Sequence, residues 1–476
     1  MQNFFSFKTV AIVGASRNPK KDSNNIVRNL TFQKDLKIFP INPSATEILG
    51  LKAYPSVLDI EGDLDLVIIF IPPANVLKVV KECVQKKVNF ILIESSGFNE
   101  VGNLELFNEI KQITSDAGIR VWGPNCTGYA DFHNQLFTPF VPLKPVLRDV
   151  DIEELKGSVS IASQSGMMAG GMMLQMITGN PSKNYSPINK ILAIGNKLDI
   201  NECDALEYMG KDPKTKVIGL YLEGFIDGRR FFELASEIVK EKPIILLKGG
   251  TTKSGLNAAL SHTGSLSTND EILNGVIKQT GIIRVYDFSE FLQVLHVFSL
   301  LLDNGKELPR DNRVAILTIS GGAGVVLSDN VDKIKNLKMA IYEEKTRKRI
   351  SKYFPDWMKR GKDNPCDIWP AIDKSGGVAL GDTIVALSKD KNVDIIILTI
   401  IAVRERGWDM AGNEMFKGIL ESIQKPIFCW IFGDFTQFDN FRKMMVNIGI
   451  PFFISIKDLT NCLSKVVEYS NFISKR

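Results

Sequence analysis

Histidine and cysteine are scarce in this chain of 476 residues, and their scarcity excludes several kinds of site. The histidines are His133, His262 and His296, too few for a histidine-rich metal cluster. The cysteines lie far apart with no C-x-x-C pair, so the sequence encodes neither a disulfide framework nor a thiolate zinc site. They are Cys83, Cys126, Cys203, Cys366, Cys429 and Cys462. We therefore expect no metal site.

Long apolar runs and an excess of one charge are also missing. No apolar run reaches the ~18 to 20 residues that cross a bilayer, and residues 1–5 carry no basic stretch before the first strand-like segment. Lys and Arg number 58 against 54 Asp and Glu, and this net charge of +4 is spread along the chain. We therefore expect a cytoplasmic protein without membrane or nucleic-acid partners.

What the chain does contain is ordinary globular composition, with 44% hydrophobic and 24% charged residues. Short β-branched runs alternate with amphipathic stretches, which predicts α/β units around parallel sheets. Strands are predicted at 9–13, 37–39, 66–71, 90–93, 120–122, 158–162, 191–194, 217–222, 244–247, 282–285, 314–319, 393–400 and 426–430, and helices at 75–86, 104–116 and 288–302. Proline-bearing 135–156 and polar 304–312 predict linkers, so we expect consecutive α/β domains at 1–134, 157–303 and 313–476.

The loop from Gly14 to Lys21, after the first strand, has the composition of a phosphate-binding turn. A glycine there lets the backbone approach a phosphate, a helix start supplies N–H donors, and Arg17 and Lys21 add positive charge. It is neither a G-x-G-x-x-G fingerprint nor a P-loop. A tight turn with solvated lysines is the alternative.

Further loops at strand ends of the same domain share this edge of the sheet. They contain Asn42-Pro43, Pro72-Pro73 and Asn125-Cys126.

Two later helix starts are rich in small residues. Ser163-Gln164-Ser165-Gly166 follows one predicted strand, and Ser320-Gly321-Gly322-Ala323 follows another. Small residues at a helix N-terminus leave N–H groups accessible to an anion, so a phosphoryl group could be held from two sides. The first of them lacks the glycine that a serine-hydrolase elbow requires.

His262 lies in a polar, glycine-rich segment that predicts a loop, and a neutral imidazole is a competent nucleophile toward phosphorus. Such a ring needs an acceptor to orient it, and Glu223, at the end of the strand 217–222, is the candidate. A solvated strand-end glutamate is the alternative. His296 lies on an amphipathic helix and His133 near a linker, and both are interpreted as structural.

Four segments together resemble the nucleoside-diphosphate-forming acyl-CoA synthetases, the superfamily of succinyl-CoA synthetase. They are Ala259-Leu260-Ser261-His262-Thr263-Gly264, Gly123-Pro124-Asn125-Cys126, Asp212-Pro213-Lys214-Thr215 through Leu222-Glu223-Gly224, and Ser320-Gly321-Gly322-Ala323-Gly324. The resemblance covers nearly the whole chain and is strongest to the α subunits of ADP-forming acetate–CoA ligases. It implies a Rossmann-like CoA-binding domain followed by two flavodoxin-like domains.

The resemblance also implies roles for particular residues. CoA phosphates would bind at Gly14, Ser16, Arg17 and Lys21, the CoA nucleotide near Asn42 and Pro43, and the pantetheine arm along Pro72, Pro73 and Asn125, with Cys126 near the thiol. His262 would be phosphorylated with Glu223 holding its ring. The phosphoryl group would meet the helix starts at Ser163, Ser165 and Gly166, and at Gly321, Gly322 and Ala323.

The implied reaction interconverts acyl-CoA, ADP and phosphate with a carboxylic acid, CoA and ATP, through an acyl phosphate and a phosphohistidine. No P-loop is found and no room remains for an ATP-grasp domain, so ADP or ATP with Mg²⁺ is expected on a separate ATP-grasp β subunit in an α2β2 assembly. The loop carrying His262 would then have to swing toward that subunit. The acid is expected to be small.

Some positions depart from the usual family pattern, and two other readings stay open. Lys21-Asp22-Ser23 replaces a common Lys-x-Gly, Ser267-Thr268 replaces common small residues, and Trp369 stands where the family often has a small or aliphatic residue. If the Trp369 loop borders the acid pocket, the acyl preference differs from acetate. A non-catalytic CoA-binding sensor or scaffold is the main alternative. A nicotinamide-dependent oxidoreductase is weakened because the G-x-G-x-x-G fingerprint and a ribose-binding acid are missing.

Overall fold

A computed structural model of the chain describes residues 1–148, 150–179, 187–263, 269–358, 361–403 and 414–475. For residues 2–3 and 260–263 it describes the backbone alone. The chain divides into two compact units, of which the first comprises Met1–Thr178 and later residues up to Asp287, and the second begins at Phe288. None of the described helices is both long and apolar enough to cross a membrane.

The first unit begins with a parallel sheet, called here the first sheet. The strands of this part are β1 (Thr9–Val13), β2 (Lys37–Ile41), β3 (Glu47–Ile48), β4 (Leu51–Lys52), β5 (Leu66–Ile69), β6 (Phe90–Ile93) and β7 (Arg120–Trp122), and the helices are α1 (Asp22–Leu30), α2 (Val76–Lys86) and α3 (Leu104–Asp116). The sheet order is β2-β1-β5-β6-β7, and β3 and β4 form a separate hairpin. Strand β5 is buried along its whole length, as expected for a strand covered on both faces.

The rest of the first unit forms a second sheet. Its strands are β8 (Tyr129–Asp131), β9 (Leu136–Phe137), β10 (Lys156–Ser163), β11 (Ile188–Ala193), β12 (Val217–Leu222), β13 (Ile244–Lys248) and β14 (Ile283–Val285), and its helices are α4 (Leu143–Val146), α5 (Ile152–Leu155), α6 (Gly166–Thr178), α7 (Glu202–Lys211), α8 (Gly228–Ile238), α9 (Lys253–Thr263) and α10 (Asp270–Thr280). The order is β14-β13-β12-β10-β11-β8-β9, with β8 and β9 added antiparallel at one edge.

Residues 135–156 are not the extended linker that their prolines suggested. Strand β9 pairs with β8 and buries both of its residues, and two short helices, α4 and α5, follow. Pro142 lies at the start of α4 and Pro145 within its first turn. A proline is tolerated there because a first-turn N–H has no partner inside the helix anyway.

The second unit contains a third sheet. Its strands are β15 (Arg313–Thr318), β16 (Lys338–Met339), β17 (Cys366–Asp367), β18 (Ile395–Ala402), β19 (Ile427–Gly433) and β20 (Phe452–Phe453), and its helices are α11 (Phe288–Asp303), α12 (Gly321–Lys333), α13 (Glu344–Ser351), α14 (Trp369–Ser375), α15 (Gly377–Lys389), α16 (Glu414–Ser422), α17 (Phe438–Asn447) and α18 (Ile456–Ser474). The order is β16-β15-β18-β19-β20, and β17 also pairs with β15. All these pairings are parallel.

Helix α11 belongs to the second unit, although the sequence assigned it to the domain 157–303. It packs on α18, where Phe298 meets Tyr469 edge-on with ring centroids 5.4 Å apart. His296 is fully buried on α11. Its burial agrees with the interpretation of His296 as a structural residue.

The predicted α/β class is confirmed, and several elements have the bounds that periodicity predicted. Strands β1, β6, β7 and β12 and helix α3 begin and end at the predicted residues. The domain limits remain a prediction, because the compact units do not follow the sheets one by one.

A buried charge cluster lies near the start of β11 in the second sheet. Lys190 Nζ lies 3.4 Å from Asp131 Oδ2 and 3.1 Å from Asp212 Oδ2. Burial opposes ionisation of Asp212, but Lys190 and hydrogen bonds from Asn189 and Thr215 hold its pKa below the usual value. Removing the cation would leave two buried carboxylates without their counter-charge.

We therefore predict that Lys190→Met lowers the free energy of unfolding by about 3–5 kcal/mol. Urea-induced unfolding followed by circular dichroism measures this loss. Lys214→Met, at an exposed position nearby, is the control and should stay within about 0.5 kcal/mol of wild type. Equal stability of the two variants would contradict the prediction.

Another buried carboxyl group belongs to Glu94, directly after β6. It is only 3% exposed, and neither carboxyl oxygen has a hydrogen-bond partner among the described residues. Burial raises its pKa well above the usual value. The unfolded chain releases this proton near pH ~4.3 while the folded protein keeps it. Stability therefore falls as the pH rises above that value.

We predict that Glu94→Met raises the free energy of unfolding at pH 8 by about 1–3 kcal/mol, because an unpartnered buried polar group is removed. The gain should shrink as the pH is lowered toward ~4, where both states hold the proton. Unfolding curves at pH 4, 6 and 8 measure it, with exposed Glu105→Met as the control. A gain that does not change with pH would rule out the explanation.

Candidate functional site

The loop after β1 approaches the neighbouring strand so closely that only glycine fits. Gly14 has φ +96°, and a β-carbon on it would lie 2.2 Å from the carbonyl oxygen of Phe70. Its N–H donates to Ile41 O at 3.1 Å. The turn is therefore tightly built, and it leaves the residues that follow at the edge of the first sheet.

The predicted phosphate-binding residues follow Gly14. The carbonyl of Ser16 accepts a hydrogen bond of 2.7 Å from the buried Asn24 side chain, which fixes the loop against α1. Arg17 and Lys21 are exposed, and neither forms an ion pair with a described residue. Two accessible cations therefore flank the start of α1. Asp22, in the first turn of α1, opposes an anion at that helix end.

Asn42 joins the loops after β1 and β2. Its side-chain nitrogen donates to Ala15 O at 2.8 Å, and its side-chain oxygen accepts from Ser44 N at 2.9 Å. Pro43 is exposed beside it. Asn42 therefore braces the edge of the first sheet, while Pro43 offers an accessible apolar surface.

The loops after β5 and β7 complete this edge. Pro72 is exposed, and Pro73 begins a short 3-10 helix that leads into α2. Asn125 has φ +54° and donates its N–H to Ser95 O at 2.9 Å. These loops and those after β1, β2 and β6 are called here the first rim.

Cys126 is buried, with 3% exposure, and its Sγ donates toward Ile93 O at 3.5 Å. Burial, and then the proximity of Glu94, raises the pKa of this thiol. Cys126 is therefore a protonated packing residue, and its predicted position near the thiol of CoA stays a prediction.

Hydrogen bonds join the first rim to the second sheet. The Asn125 side chain donates to Asn196 Oδ1 at 3.2 Å, and Asn196 donates to Glu100 Oε2 at 2.6 Å. Thr127 Oγ1 donates to the carbonyl of Gly166 at 3.0 Å, in the first turn of α6. The segments after β10, β11, β12 and β13 are called here the second rim. The two rims therefore meet within one compact unit.

The start of α6 lies on the second rim. Ser163 is fully buried and donates to Ser165 O at 2.7 Å. The hydroxyl of Ser165 accepts from Met168 N at 3.4 Å, which caps the helix that begins at Gly166. The serines thus shape this helix start, and an anion there would meet backbone N–H groups rather than Ser163 Oγ.

Glu223 lies on the second rim and is not the solvated strand-end residue of the alternative interpretation. It is 6% exposed, and Tyr221 OH donates to its Oε1 at 3.2 Å. Gln164 Oε1 accepts from the N–H groups of Glu223 and Gly224 at 2.9 and 3.2 Å. Lys248 Nζ donates to the Glu223 carbonyl at 2.7 Å. Its backbone is therefore held from both neighbouring strands.

His262 lies in the last turn of α9, not in the loop that the glycine-rich sequence predicted. Thr252 supports the helix start, because its hydroxyl accepts from Gly255 N at 3.1 Å. The side chain of His262 and all of residues 264–268 lie outside the described residues, so its contact with Glu223 stays a prediction. Helix α9 packs on the 3-10 helix Asn99–Val101 of the first rim.

The second predicted anion-binding helix start belongs to the second unit. Ser320 caps α12 by accepting from Ala323 N at 3.4 Å, and Gly321 and Gly322 are exposed. Asp367 lies beside Gly321, where a β-carbon would be 3.1 Å from its Oδ2. Burial raises the pKa of Asp367. This carboxyl, which the sequence analysis did not consider, would compete with an anion at α12 whenever it is ionised.

Sequence reasoning also missed the buried residues that hold Glu223. Gln164 lies in the helix start Ser163–Gly166 without a predicted role, and the sequence predicts no role for Lys197 or Lys248. A lysine at the end of an apolar strand, followed by two glycines, was the available signal for Lys248. Among the described residues no group of His, Cys, Asp and Glu is arranged to hold a metal ion.

Comparison with known proteins agrees with this architecture. A family model described as a CoA binding domain matches residues 8–131, and one described as a succinyl-CoA ligase like flavodoxin domain matches residues 156–298. A structure of dinucleotide-forming acetyl-coenzyme A synthetase 1 from Ca. Korarchaeum cryptofilum, in complex with phosphate and ADP, is 29% identical with a TM-score of 0.84. The match covers 100% of this chain and 98% of that one.

Curated relatives are similar over nearly the whole chain. Acetate–CoA ligase [ADP-forming] II of Archaeoglobus fulgidus is 36% identical over 99% of this chain, which spans 67% of that protein. The α subunit of acetate–CoA ligase [ADP-forming] II of Pyrococcus furiosus is 32% identical, over 98% of this chain and 97% of the subunit. The chain therefore belongs to the ADP-forming acetate–CoA ligase family of acyl-CoA synthetases, and it corresponds to the α-subunit part of these ligases.

Proposed function

We propose that this chain is the catalytic α subunit of an NDP-forming acyl-CoA synthetase. It would interconvert acyl-CoA, ADP and phosphate with a carboxylic acid, CoA and ATP. The observation that carries the proposal is the buried Glu223, held by hydrogen bonds on the second rim, in the unit whose helix α9 carries His262. A CoA-binding sensor or scaffold needs no such carboxyl, so the non-catalytic alternative is not favoured.

CoA would bind along the first rim. The tight turn at Gly14 brings the residues that follow it to the edge of the first sheet, and Arg17 and Lys21 supply charge there that no described carboxylate neutralises. The nucleotide would lie near Pro43, and the pantetheine arm would run past Pro72 and Pro73 toward Asn125. This direction leads to the second rim, because Asn125 is hydrogen-bonded to Asn196.

The chemistry would proceed in reversible steps that conserve the energy of the thioester. A phosphate oxygen attacks the acyl carbonyl, the C–S bond breaks, and CoA leaves with an acyl phosphate remaining. A ring nitrogen of His262 then attacks phosphorus, the P–O bond to the acyl group breaks, and the carboxylate leaves. Glu223 would orient the ring by accepting its other N–H, and the first turn of α6 would hold the phosphoryl oxygens. Gly321, Gly322 and Ala323, in the second unit, are proposed as a further anion-binding helix start.

The nucleotide would bind elsewhere. We propose that ADP or ATP with Mg²⁺ binds an ATP-grasp β subunit in an α2β2 assembly, to which the phosphohistidine passes its phosphoryl group. In support, a relative named as an α subunit has nearly the length of this chain, whereas the Archaeoglobus protein is longer. We propose no particular small carboxylic acid, and we propose that its pocket lies beside Trp369. The cytoplasmic location stays a prediction.

The first test follows the phosphoryl group. Incubation of the chain with acetyl-CoA and radiolabelled phosphate should give an acid-labile, base-stable label on the protein. His262→Asn should abolish the label, and Glu223→Gln should slow its formation about 100-fold. His133→Asn is the control and should label like wild type. An unlabelled wild-type protein, or label that persists in His262→Asn, would reject the enzymatic proposal.

The second test concerns CoA. Arg17→Ala and Lys21→Ala should each raise the Kd for CoA about tenfold, because each removes a charge-assisted hydrogen bond worth about 1.5 kcal/mol. Titration calorimetry measures the effect, with Lys37→Ala, at the opposite end of β2, as the control. Neither substitution should change binding of pantetheine, which has no phosphate. Equal losses for CoA and pantetheine would contradict the assigned contacts.

A further inference from the structure

We propose that Lys248 is a positioning residue for phosphoryl transfer, holding Glu223 and the backbone that leads to the His262 helix in one geometry. The inference rests on the proposed function, because it concerns the same carboxylate. It goes further by giving a role to a buried cation that the reaction scheme does not use.

Side chains from the neighbouring strand ends converge on the backbone of Glu223 and Gly224. On one side of β12, Gln164 follows β10 and accepts both N–H groups. On the other side, Lys248 ends β13 and donates to the Glu223 carbonyl at 2.7 Å. Lys197, which follows β11, donates to the Gly224 carbonyl at 2.8 Å. The peptide units at the end of β12 therefore have fixed hydrogen-bond partners.

Lys248 also bonds the backbone of its own segment. Its Nζ donates to the carbonyl oxygen of Gly249, and a β-carbon on Gly249 would lie 3.0 Å from Tyr221 OH and 3.3 Å from Glu223 Cγ. Gly249 begins the segment that leads into α9. The Lys248 ammonium group thus links Glu223, which would hold the imidazole, to the segment that leads to His262.

The two lysines of the second rim differ in how their charge is balanced. Lys197 forms an ion pair with the buried Glu202, with 2.9 Å between Nζ and Oε2, so its burial is compensated. Lys248 is 7% exposed and forms no ion pair with a described residue. A buried cation without a counterion costs stability, and packing alone would favour an apolar side chain there. The site, rather than the fold, explains its presence.

The charge state of Lys248 also supports a role in the site. Burial lowers the pKa of Lys248 to about 8, although the charge of Glu223 acts to raise it. The other charged groups that influence it are Asp270 on α10, Arg284 on β14 and Lys197. Near neutral pH Lys248 is therefore mostly protonated, and its positive charge lies against the carbonyl of Glu223, the residue proposed to orient the imidazole.

The test compares the buried Lys248 with the half-buried Lys242, whose ammonium group also donates to backbone carbonyls but lies at the opposite end of the second sheet. Lys242 donates to the carbonyls of Met209, Gly210 and Asp212, as Lys248 does to those of Glu223 and Gly249, but it lies away from the rims. We expect Lys248→Met to slow phosphorylation of His262 by acetyl-CoA and phosphate about 100-fold, while the Kd for CoA stays within twofold. The rate in Lys248→Arg should be at least tenfold higher than in Lys248→Met. Lys242→Met should label within twofold of the wild-type rate.

Each outcome separates this inference from the function it rests on. A wild-type chain that takes no label rejects the proposed function. Wild-type label with an unchanged rate in Lys248→Met rejects the positioning role alone. A parallel loss of CoA binding, or an equal loss of rate in Lys242→Met, also rejects it, because either result indicates a general structural effect. If Lys248→Met does not fold, Gln164→Met tests the support of the Glu223 backbone from the β10 side, and an unchanged rate there rejects the inference.

Discussion

The hydrogen bonds that join the two rims are the constraint on which the rest of the site depends. Asn196 accepts from Asn125 and donates to Glu100, and Thr127 bonds the first turn of α6. Each of these groups lies beyond the carboxyl end of a parallel strand, where ligands bind in open α/β sheets. Because two such edges meet, a thioester bound along the first rim, as proposed, would lie within reach of the proposed phosphoryl-binding elements of the second rim.

The second rim shows how a flexible acid is given a fixed position. A glutamate at a strand end is ordinarily solvated, and its side chain has several rotatable bonds. Here Gln164 and Lys248 fix its backbone, and Tyr221 donates to its carboxylate. Preorganisation of this kind lowers the cost of assembling a reactive geometry, because the residues need not be ordered during the reaction.

Buried charge is used in two ways in the second sheet. Near the start of β11, Lys190 lies between Asp131 and Asp212, and the charges compensate one another. At the other end, the described hydrogen-bond partners of the buried Lys248 ammonium are the carbonyl oxygens of Glu223 and Gly249. The first arrangement supports the fold. The Lys248 arrangement lowers stability, but it provides a cation where a multiply charged phosphoryl group would benefit from one.

The sequence by itself determined the α/β class, most strand positions and the identity of His262 and Glu223 as candidates, because hydrophobic periodicity and short motifs are local properties of the chain. Only the tertiary structure decided that Glu223 is buried, that Cys126 is a packing residue, and that residues 135–156 add a strand to the second sheet. It also decided which side chains hold Glu223. Gln164, Lys197 and Lys248 are far apart in sequence and meet at Glu223 and Gly224 only because their strands belong to one sheet, in the order β13-β12-β10-β11.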